Sequence, residues 1–253
     1  MRLSYYPGCS LHSTAKEYAE SVEAICSELG IELSELSDWN CCGASAAHSI
    51  DRELSLKLCA RNLEMAEEAL AVPCSACYYN IKKAEEELNR GVKVMHILEV
   101  LHKELSRVRE MAKRPLERIK VAPYYGCLIT RANSFESREH PKSMDELLSA
   151  VGADVVSWSF KSDCCGASLS LSAPKVVTGL VERLINQAKR AGAECIATAC
   201  PLCQVNLEMR QNGADFPIFY FTELIGIGLK MNPKSWLKRH IVNPFKLMEG
   251  LLQ

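Results

Sequence analysis

The sequence predicts an α/β protein of two similar halves, each a small parallel sheet flanked by helices, the two related by internal duplication. Three observations predict it. One cysteine pattern occurs twice, as Cys9, Cys41-Cys42-Gly43, Cys74 and Cys77, then as Cys127, Cys164-Cys165-Gly166, Cys200 and Cys203. Short apolar runs alternate with longer segments of helical period, as in strands joined by helices. The 253 residues are 48% hydrophobic, enough for a substantial core.

The first half opens with an apolar and aromatic strand over residues 3–6, stopped by Pro7-Gly8 before Cys9. Residues 15–29 have apolar positions at helical spacing, 31–36 are a short apolar run, and a helix through Leu54, Leu58, Leu63 and Ala66 follows the Cys41-Cys42-Gly43 turn. Residues 69–72 read as a buried strand ended by Pro73, and Cys74-Ser75-Ala76-Cys77 begins the next helix. A strand at 92–95 and a helix at 97–105 complete the half. The second half repeats the order: strand 119–125, Cys127 in a loop, helix 144–151, strand 155–158, the Cys164-Cys165-Gly166 turn, helix 175–190, strand 194–199, helix 201–211, strand 218–221 and helix 222–229. Even positions away from the cysteines echo, Val94-Met95-His96-Ile97-Leu98-Glu99 resembling Ile218-Phe219-Tyr220-Phe221-Thr222-Glu223.

Residues 106–120 carry Arg107, Arg109, Glu110, Lys113, Arg114, Glu117, Arg118 and Lys120 around Pro115, a charged and solvated connector. The expected division is a first domain at 1–106, a connector at 107–120, a second domain at 121–229 and a tail at 230–253. The tail contains Trp236, Phe245 and Leu247, too apolar for a free end, so it packs on the body or on a partner.

Formal net charge is -1, which gives no footprint for nucleic acid. The first residues lack an apolar signal segment and no run of 18 apolar residues occurs, so the expectation is a cytoplasmic protein without direct membrane insertion. Thirteen cysteines in such a compartment are metal ligands or redox groups rather than a disulfide framework. No glycine-rich dinucleotide fingerprint is present, so the chain itself is not expected to bind NAD or flavin.

Between Cys9 and Cys41 lie 31 residues and between Cys127 and Cys164 lie 36; between Cys42 and Cys74 lie 31 and between Cys165 and Cys200 lie 34. Each set has one thiol more than a tetrahedral zinc or an ordinary four-iron cluster needs, which points to bridging thiolates. The ligands sit in loops that follow strands, and such loops gather at the carboxyl edge of a parallel sheet. Gly43 and Gly166 remove side-chain bulk beside the vicinal pair, and the CxxC pairs begin helices whose N–H groups favour thiolates. A structural zinc site, reactive dithiols or a pure electron relay remain open on spacing alone. Cys26, Cys59 and Cys195 have no repeat-equivalent partners and read as buried small hydrophobes.

The motif Cys-x(31 to 38)-Cys-Cys-Gly-x(31 to 34)-Cys-x-x-Cys resembles the cysteine-rich CCG domain, and two copies without ferredoxin modules are similar to the B subunit of heterodisulfide reductase. Tyr5-Tyr6-Pro7-Gly8-Cys9, Asp38-Trp39-Asn40-Cys41-Cys42-Gly43-Ala44 and Thr198-Ala199-Cys200-Pro201-Leu202-Cys203 carry the resemblance. It implies that Cys9, Cys41, Cys42, Cys74 and Cys77 hold one noncubane [4Fe-4S] cluster and Cys127, Cys164, Cys165, Cys200 and Cys203 a second. It further implies an oxidoreductase subunit that reduces or forms a disulfide of the CoM-S-S-CoB type, with Cys42 and Cys165 at the cleavage site. A small ferredoxin-like C subunit and a flavin-bearing A subunit would supply electrons. Another thiol or sulfur redox complex, or one that reduces quinone at a membrane, would use the same domains. On this reading both clusters face one cleft at a pseudo-twofold interface.

His12 and His48 follow cluster cysteines and could deliver protons or orient an anionic substrate, although a surface or satisfied histidine is the better reading of each. Lys16, Arg131 and Lys161 are candidate anion contacts that the sequence does not place. Tyr5, Tyr6, Tyr124 and Tyr125 precede the first ligands and read as core.

Overall fold

The computed structural model describes residues 1–44, 47–113, 116–117, 119–132 and 135–249. The first half runs β1 (Arg2–Tyr5), α1 (Gly8–His12), α2 (Lys16–Glu28), β2 (Glu32–Glu35), α3 (Ala47–Ile50), α4 (Arg52–Glu64), β3 (Ala69–Val72), α5 (Ser75–Leu88), β4 (Lys93–His96) and α6 (Ile97–Lys103). After α7 (Leu105–Met111) the second half runs β5 (Lys120–Tyr124), α8 (Gly126–Arg131), α9 (Ser143–Ala150), β6 (Asp154–Val155), a 3-10 turn at Ala167–Leu169, α10 (Pro174–Arg190), β7 (Cys195–Thr198), α11 (Pro201–Met209), β8 (Ile218–Tyr220) and α12 (Phe221–Gly228). Helices α13 (Lys234–Leu237) and α14 (Phe245–Met248) form the tail.

Both sheets are four-stranded and parallel with the same order, β2-β1-β3-β4 and β6-β5-β7-β8. The α/β class and the two similar halves are therefore as the alternation of apolar runs predicts. In this order the chain leaves β1 toward one edge and returns at β3 on the other side, so a crevice opens at the carboxyl ends of β1 and β3. Cys9 and Cys74 follow those strands and Cys41-Cys42 follow β2; Cys127, Cys200 and Cys164-Cys165 repeat the arrangement on β5, β7 and β6. Central strands β3 and β7 are almost wholly buried, Leu70, Ala71, Val72 and Ile196, Ala197 at 0% exposure, as strands covered on both faces must be.

The strand expected at 155–158 is cut to Asp154–Val155. Val121 accepts from Val156 N–H on the β6 side of β5, and two residues on, Pro123 faces the same side without an N–H to give. The Trp158 indole instead donates to the Pro123 carbonyl at 2.9 Å.

The segment read as a solvated connector carries α7 and buries Val108, Leu116 and Ile119. A charged exterior coexists there with apolar residues at the spacing of a packed helix; Arg114, Pro115 and Arg118 lie outside the described residues. The tail packs on the body: α13 lies against α2, burying Trp236 and Leu237, and Arg239 pairs with Glu20 of α2 at 2.7 Å. Residues 250–253 of the tail lie outside the described residues.

Candidate metal centre

Each cysteine set is assembled in the same way from a short helix after the first strand, the vicinal-pair turn and the start of a longer helix. Cys9 lies in α1 and Cys127 in α8, where the sequence predicts a loop, because the chain coils directly off the strand end after Gly8 and Gly126; Cys74 and Cys77 open α5, and Cys200 and Cys203 open α11. In the Cys-Cys-Gly-Ala turns the Gly43 N–H points to the Cys41 sulfur at 3.4 Å and the Gly166 N–H to the Cys164 sulfur at 3.3 Å. The following Ala44 and Ala167 amides donate to Cys42 and Cys165. Positive φ at Gly43 (73°) and Gly166 (80°) makes this possible. Cys42 and Cys77 sulfurs are 3.2 Å apart, Cys165 and Cys203 3.5 Å. Cys74 hydrogen-bonds both Cys77 and Cys200, and Cys200 also meets Cys203. Cys9 lies within the electrostatic reach of Cys41, and Cys127 hydrogen-bonds Cys164. The sulfurs meet in neighbouring contacts; among the described residues no three Cys, His, Asp or Glu side chains are disposed to hold a lone metal ion.

These contacts sort the thiols by charge. Hydrogen bonds from Cys41 and then Cys77 pull Cys42 down to about 4 against its burial, and one from Cys127 pulls Cys164 to about 6. Cys203 likewise lowers Cys165 and Cys200, the latter also drawn down by Cys74 and by N–H groups at the start of α11. Their donors Cys41, Cys74, Cys77, Cys127 and Cys203 are raised. Each set is thus built to hold anionic sulfur in a buried place.

Two glycines that the spacing argument passed over shape the same volume. Gly8 and Gly126 precede Cys9 and Cys127 with φ of 73° and 69°, and a Cβ on either would stand 3.3 Å from the sulfur of Cys77 or Cys203. Space beside the sulfurs is therefore kept free in both halves, and five thiols per set around such a cradle fit an iron–sulfur cluster with bridging thiolates. Tyr6 and Tyr124, three residues before those cysteines, donate to the carbonyls of Asn40 and Asp163, the residues just before each vicinal pair, at 2.9 and 2.7 Å. The signal was in the sequence as Tyr-x-Gly-Cys, twice.

A cleft of about 650 Å³ lies between the halves. All five second-set cysteines line it, and no first-set cysteine does, contrary to the expectation of two sets facing one cleft. The reason is packing: α8 lies against α5, so the second set opens onto the outer face of α4 and α5. The first set borders the cleft only through Ala44, Ser75 and Ala76, while Cys9 and Cys41 are exposed elsewhere. Leu56, Tyr79, Leu128, Leu171 and Leu202 give the cleft apolar walls, and Arg52, Lys83 and Arg131 give it cations.

Of the other sequence candidates, Arg131 lines the cleft and acts electrostatically on Cys127 and Cys164. Lys161 pairs instead with Asp145, and exposed Lys16 does not reach the cleft. His12 pairs with Glu35 at 3.0 Å beside the Trp39 ring; the His48 side chain lies outside what is described. Tyr5, Tyr6, Tyr124 and Tyr125 are all core, and Tyr125, its hydroxyl donating to Asp145, also borders the cleft. Cys26, Cys59 and Cys195 are buried, and the Cys59 thiol approaches the Cys42 carbonyl at 3.4 Å.

A family model described as a cysteine-rich domain (CCG) matches residues 3–82 and 121–208. The chain is 32% identical to the 8-methylmenaquinol:fumarate reductase membrane anchor subunit of Wolinella succinogenes, covering 96% of this chain and 98% of that one. It is 26% identical to the B subunit of the ferredoxin/F420H2-dependent CoB-CoM heterodisulfide reductase of Methanosarcina acetivorans, covering 92% and 90%. A crystal structure of a hypothetical protein from Helicobacter pylori shares the fold, with a TM-score of 0.71 at 12% identity, over 96% of this chain and 52% of that one.

Proposed function

The chain belongs to the cysteine-rich CCG family, among proteins like the B subunit of heterodisulfide reductase, and from that premise we propose that it is the iron–sulfur subunit of a multi-subunit oxidoreductase that exchanges electrons with a disulfide bound between its halves. The observation that carries the reading is the complete second cysteine set on the wall of the cleft. On this proposal Cys9, Cys41, Cys42, Cys74 and Cys77 hold one noncubane [4Fe-4S] cluster and Cys127, Cys164, Cys165, Cys200 and Cys203 a second. Bound clusters would supply single electrons and a Lewis acid for sulfur.

Cleaving a disulfide consumes two electrons and two protons and yields two thiols. The chain's own part is to seat the substrate with its S–S bond toward Cys165 and to exclude water with the apolar walls. Arg131 and Lys83 suit a substrate with anionic ends on an apolar stem, as a disulfide of the CoM-S-S-CoB type has, whereas Arg52 is already paired with Glu87 of the same wall at 3.0 Å. Electrons would come from a ferredoxin-like C subunit and a flavin-bearing A subunit, with the complex in the cytoplasm. Anaerobic turnover of such a disulfide with reduced ferredoxin tests the reading. Serine substitution at Cys165 or Cys42 that leaves turnover intact contradicts it.

A second reading is favoured by another observation. Leu202, Val205 and Met209 form an exposed stripe along α11 beside Leu171, which is 98% exposed. No helix among the described residues is long and apolar enough to cross a membrane, and the Wolinella relative is named as a membrane anchor. Here the stripe rests on the bilayer surface and a quinol enters the same cleft. Turnover with a menaquinol analogue, together with cosedimentation with anionic liposomes, selects this reading over the disulfide.

A further inference from the structure

Three residues after each CxxC pair stands an asparagine: Asn80 after Cys77 and Asn206 after Cys203. Three residues on is the same helix face one turn later, so each amide points the way its cysteine points. Asn206 donates to the Cys165 carbonyl at 2.8 Å and Asn80 to the Cys42 carbonyl at 3.3 Å. The partners are 41 and 38 residues apart along the chain, and the bond recurs in two halves that otherwise differ in sequence. Helices α5 and α11 thus grip the vicinal pair at two points, thiol to thiol and amide to carbonyl.

The gripped carbonyl belongs to the Cys42–Gly43 or Cys165–Gly166 peptide. On the opposite edge of that plane is the N–H aimed at the sulfur of Cys41 or Cys164. A peptide is rigid and planar, so fixing its oxygen fixes its N–H. Resting on the cluster-ligand reading above, we propose that Asn80 and Asn206 are positioning residues that act through this peptide to hold the N–H···S bond to Cys41 and Cys164, and so set the potential of each cluster. An N–H···S bond stabilises the more negative, reduced state, and losing one makes reduction harder. Asn206 is the stronger case: it is buried, its oxygen accepts from Ser170, and its bond is shorter. At Cys42 the Cys59 thiol shares the carbonyl.

The test is Asn206→Leu and Asn80→Leu in the full chain, each compared with the Gln variant that retains a donor. In anaerobic protein with wild-type iron and sulfide, redox titration followed by electron paramagnetic resonance should show one cluster in each Leu variant moved to lower potential, the other unchanged, and partial recovery with Gln. A Leu variant that loses about half its iron while its Gln counterpart keeps it supports the same role. Independently of any cluster, amide exchange at Gly166 in Asn206→Leu and at Gly43 in Asn80→Leu should be about tenfold faster. Unchanged potentials together with unchanged exchange overturn the proposal. Wild-type protein without iron and sulfide removes the cluster reading alone, and the exchange result then decides whether the asparagines hold the peptides.

Discussion

Cys74 and Cys200, which hold equivalent places just before α5 and α11, meet side chain to side chain at the seam between the halves. Their contact joins the two sets into one run of sulfurs, Cys42–Cys77–Cys74–Cys200–Cys203–Cys165. Directly behind it the Tyr18 hydroxyl donates to the carbonyls of Pro73 at 3.0 Å and Ala199 at 3.3 Å, the residues preceding those two cysteines. The Tyr18 ring stacks on Tyr220 at 4.1 Å, so a helix of the first half closes the seam with both ends of one side chain.

Tyr18→Phe keeps the stack and removes the shared donor. The expected loss is about 1 kcal/mol of stability, since Ser75 also donates to the Ala199 carbonyl. Chemical denaturation of the variant checks it; a midpoint equal to wild type would leave the hydroxyl without a structural role.

The turn glycines differ in what surrounds them. A Cβ at Gly43 would stand 2.7 Å from the Ala47 Cβ, which cannot swing away, whereas at Gly166 it would meet the end of the Leu180 side chain at 2.9 Å. Both substitutions to alanine also strain a left-handed backbone by about 1–2 kcal/mol. Gly43→Ala should therefore lower the melting temperature more than Gly166→Ala. A larger loss at Gly166 would contradict the packing argument.

His240 gives the fold a pH dependence. Its side chain is 1% exposed between Glu208 at 2.8 Å and Glu223 at 2.9 Å, with Gln204 also on its Nδ1, the Phe219 ring alongside and Glu17 of α2 near enough to interact electrostatically. Burial alone would lower it, but the two carboxylates prevail and raise it from 6.5 to about 11. Since the folded value lies above the unfolded one, the stabilisation is full below about pH 6.5 and is lost as pH rises toward about 11. Denaturation midpoints should fall between pH 7 and 10, by at most about 1.4 kcal/mol per pH unit. His240→Gln should be less stable at pH 7 by about 3–5 kcal/mol, because it leaves buried carboxylates unpaired, and should lose this slope.

Arg131 offers a test of the proposed anionic substrate. It lines the cleft beside Cys127, and the equivalent residue of the first half is Ser13, so the cation is particular to the set that faces the cleft. Arg131→Met should raise KM for an anionic disulfide about tenfold with kcat little changed. Steady-state kinetics with charged and neutral disulfides checks this; equal effects on both would assign Arg131 another role.

Much of this was legible in the sequence because the cysteine pattern repeats with its spacing. The Cys-Cys-Gly turns, the CxxC helix starts and the strand–helix order all showed in the chain twice. The asparagines three residues beyond each CxxC and the Tyr-x-Gly-Cys entries were equally repeated, yet their meaning lies in carbonyl partners about 40 residues away in the chain. Other features leave no local trace. That α8 packs on α5, which gives the cleft to the second set alone, is a tertiary preference; so is the burial of Val108 and Leu116 within a segment whose composition is that of a solvated linker.

On the proposed function both cysteine sets are cluster sites. Iron and acid-labile sulfide measured on anaerobically prepared protein tests it most directly. About eight irons per chain with matching sulfide is the predicted result; stoichiometric zinc without sulfide would contradict it and leave a metal-stapled scaffold.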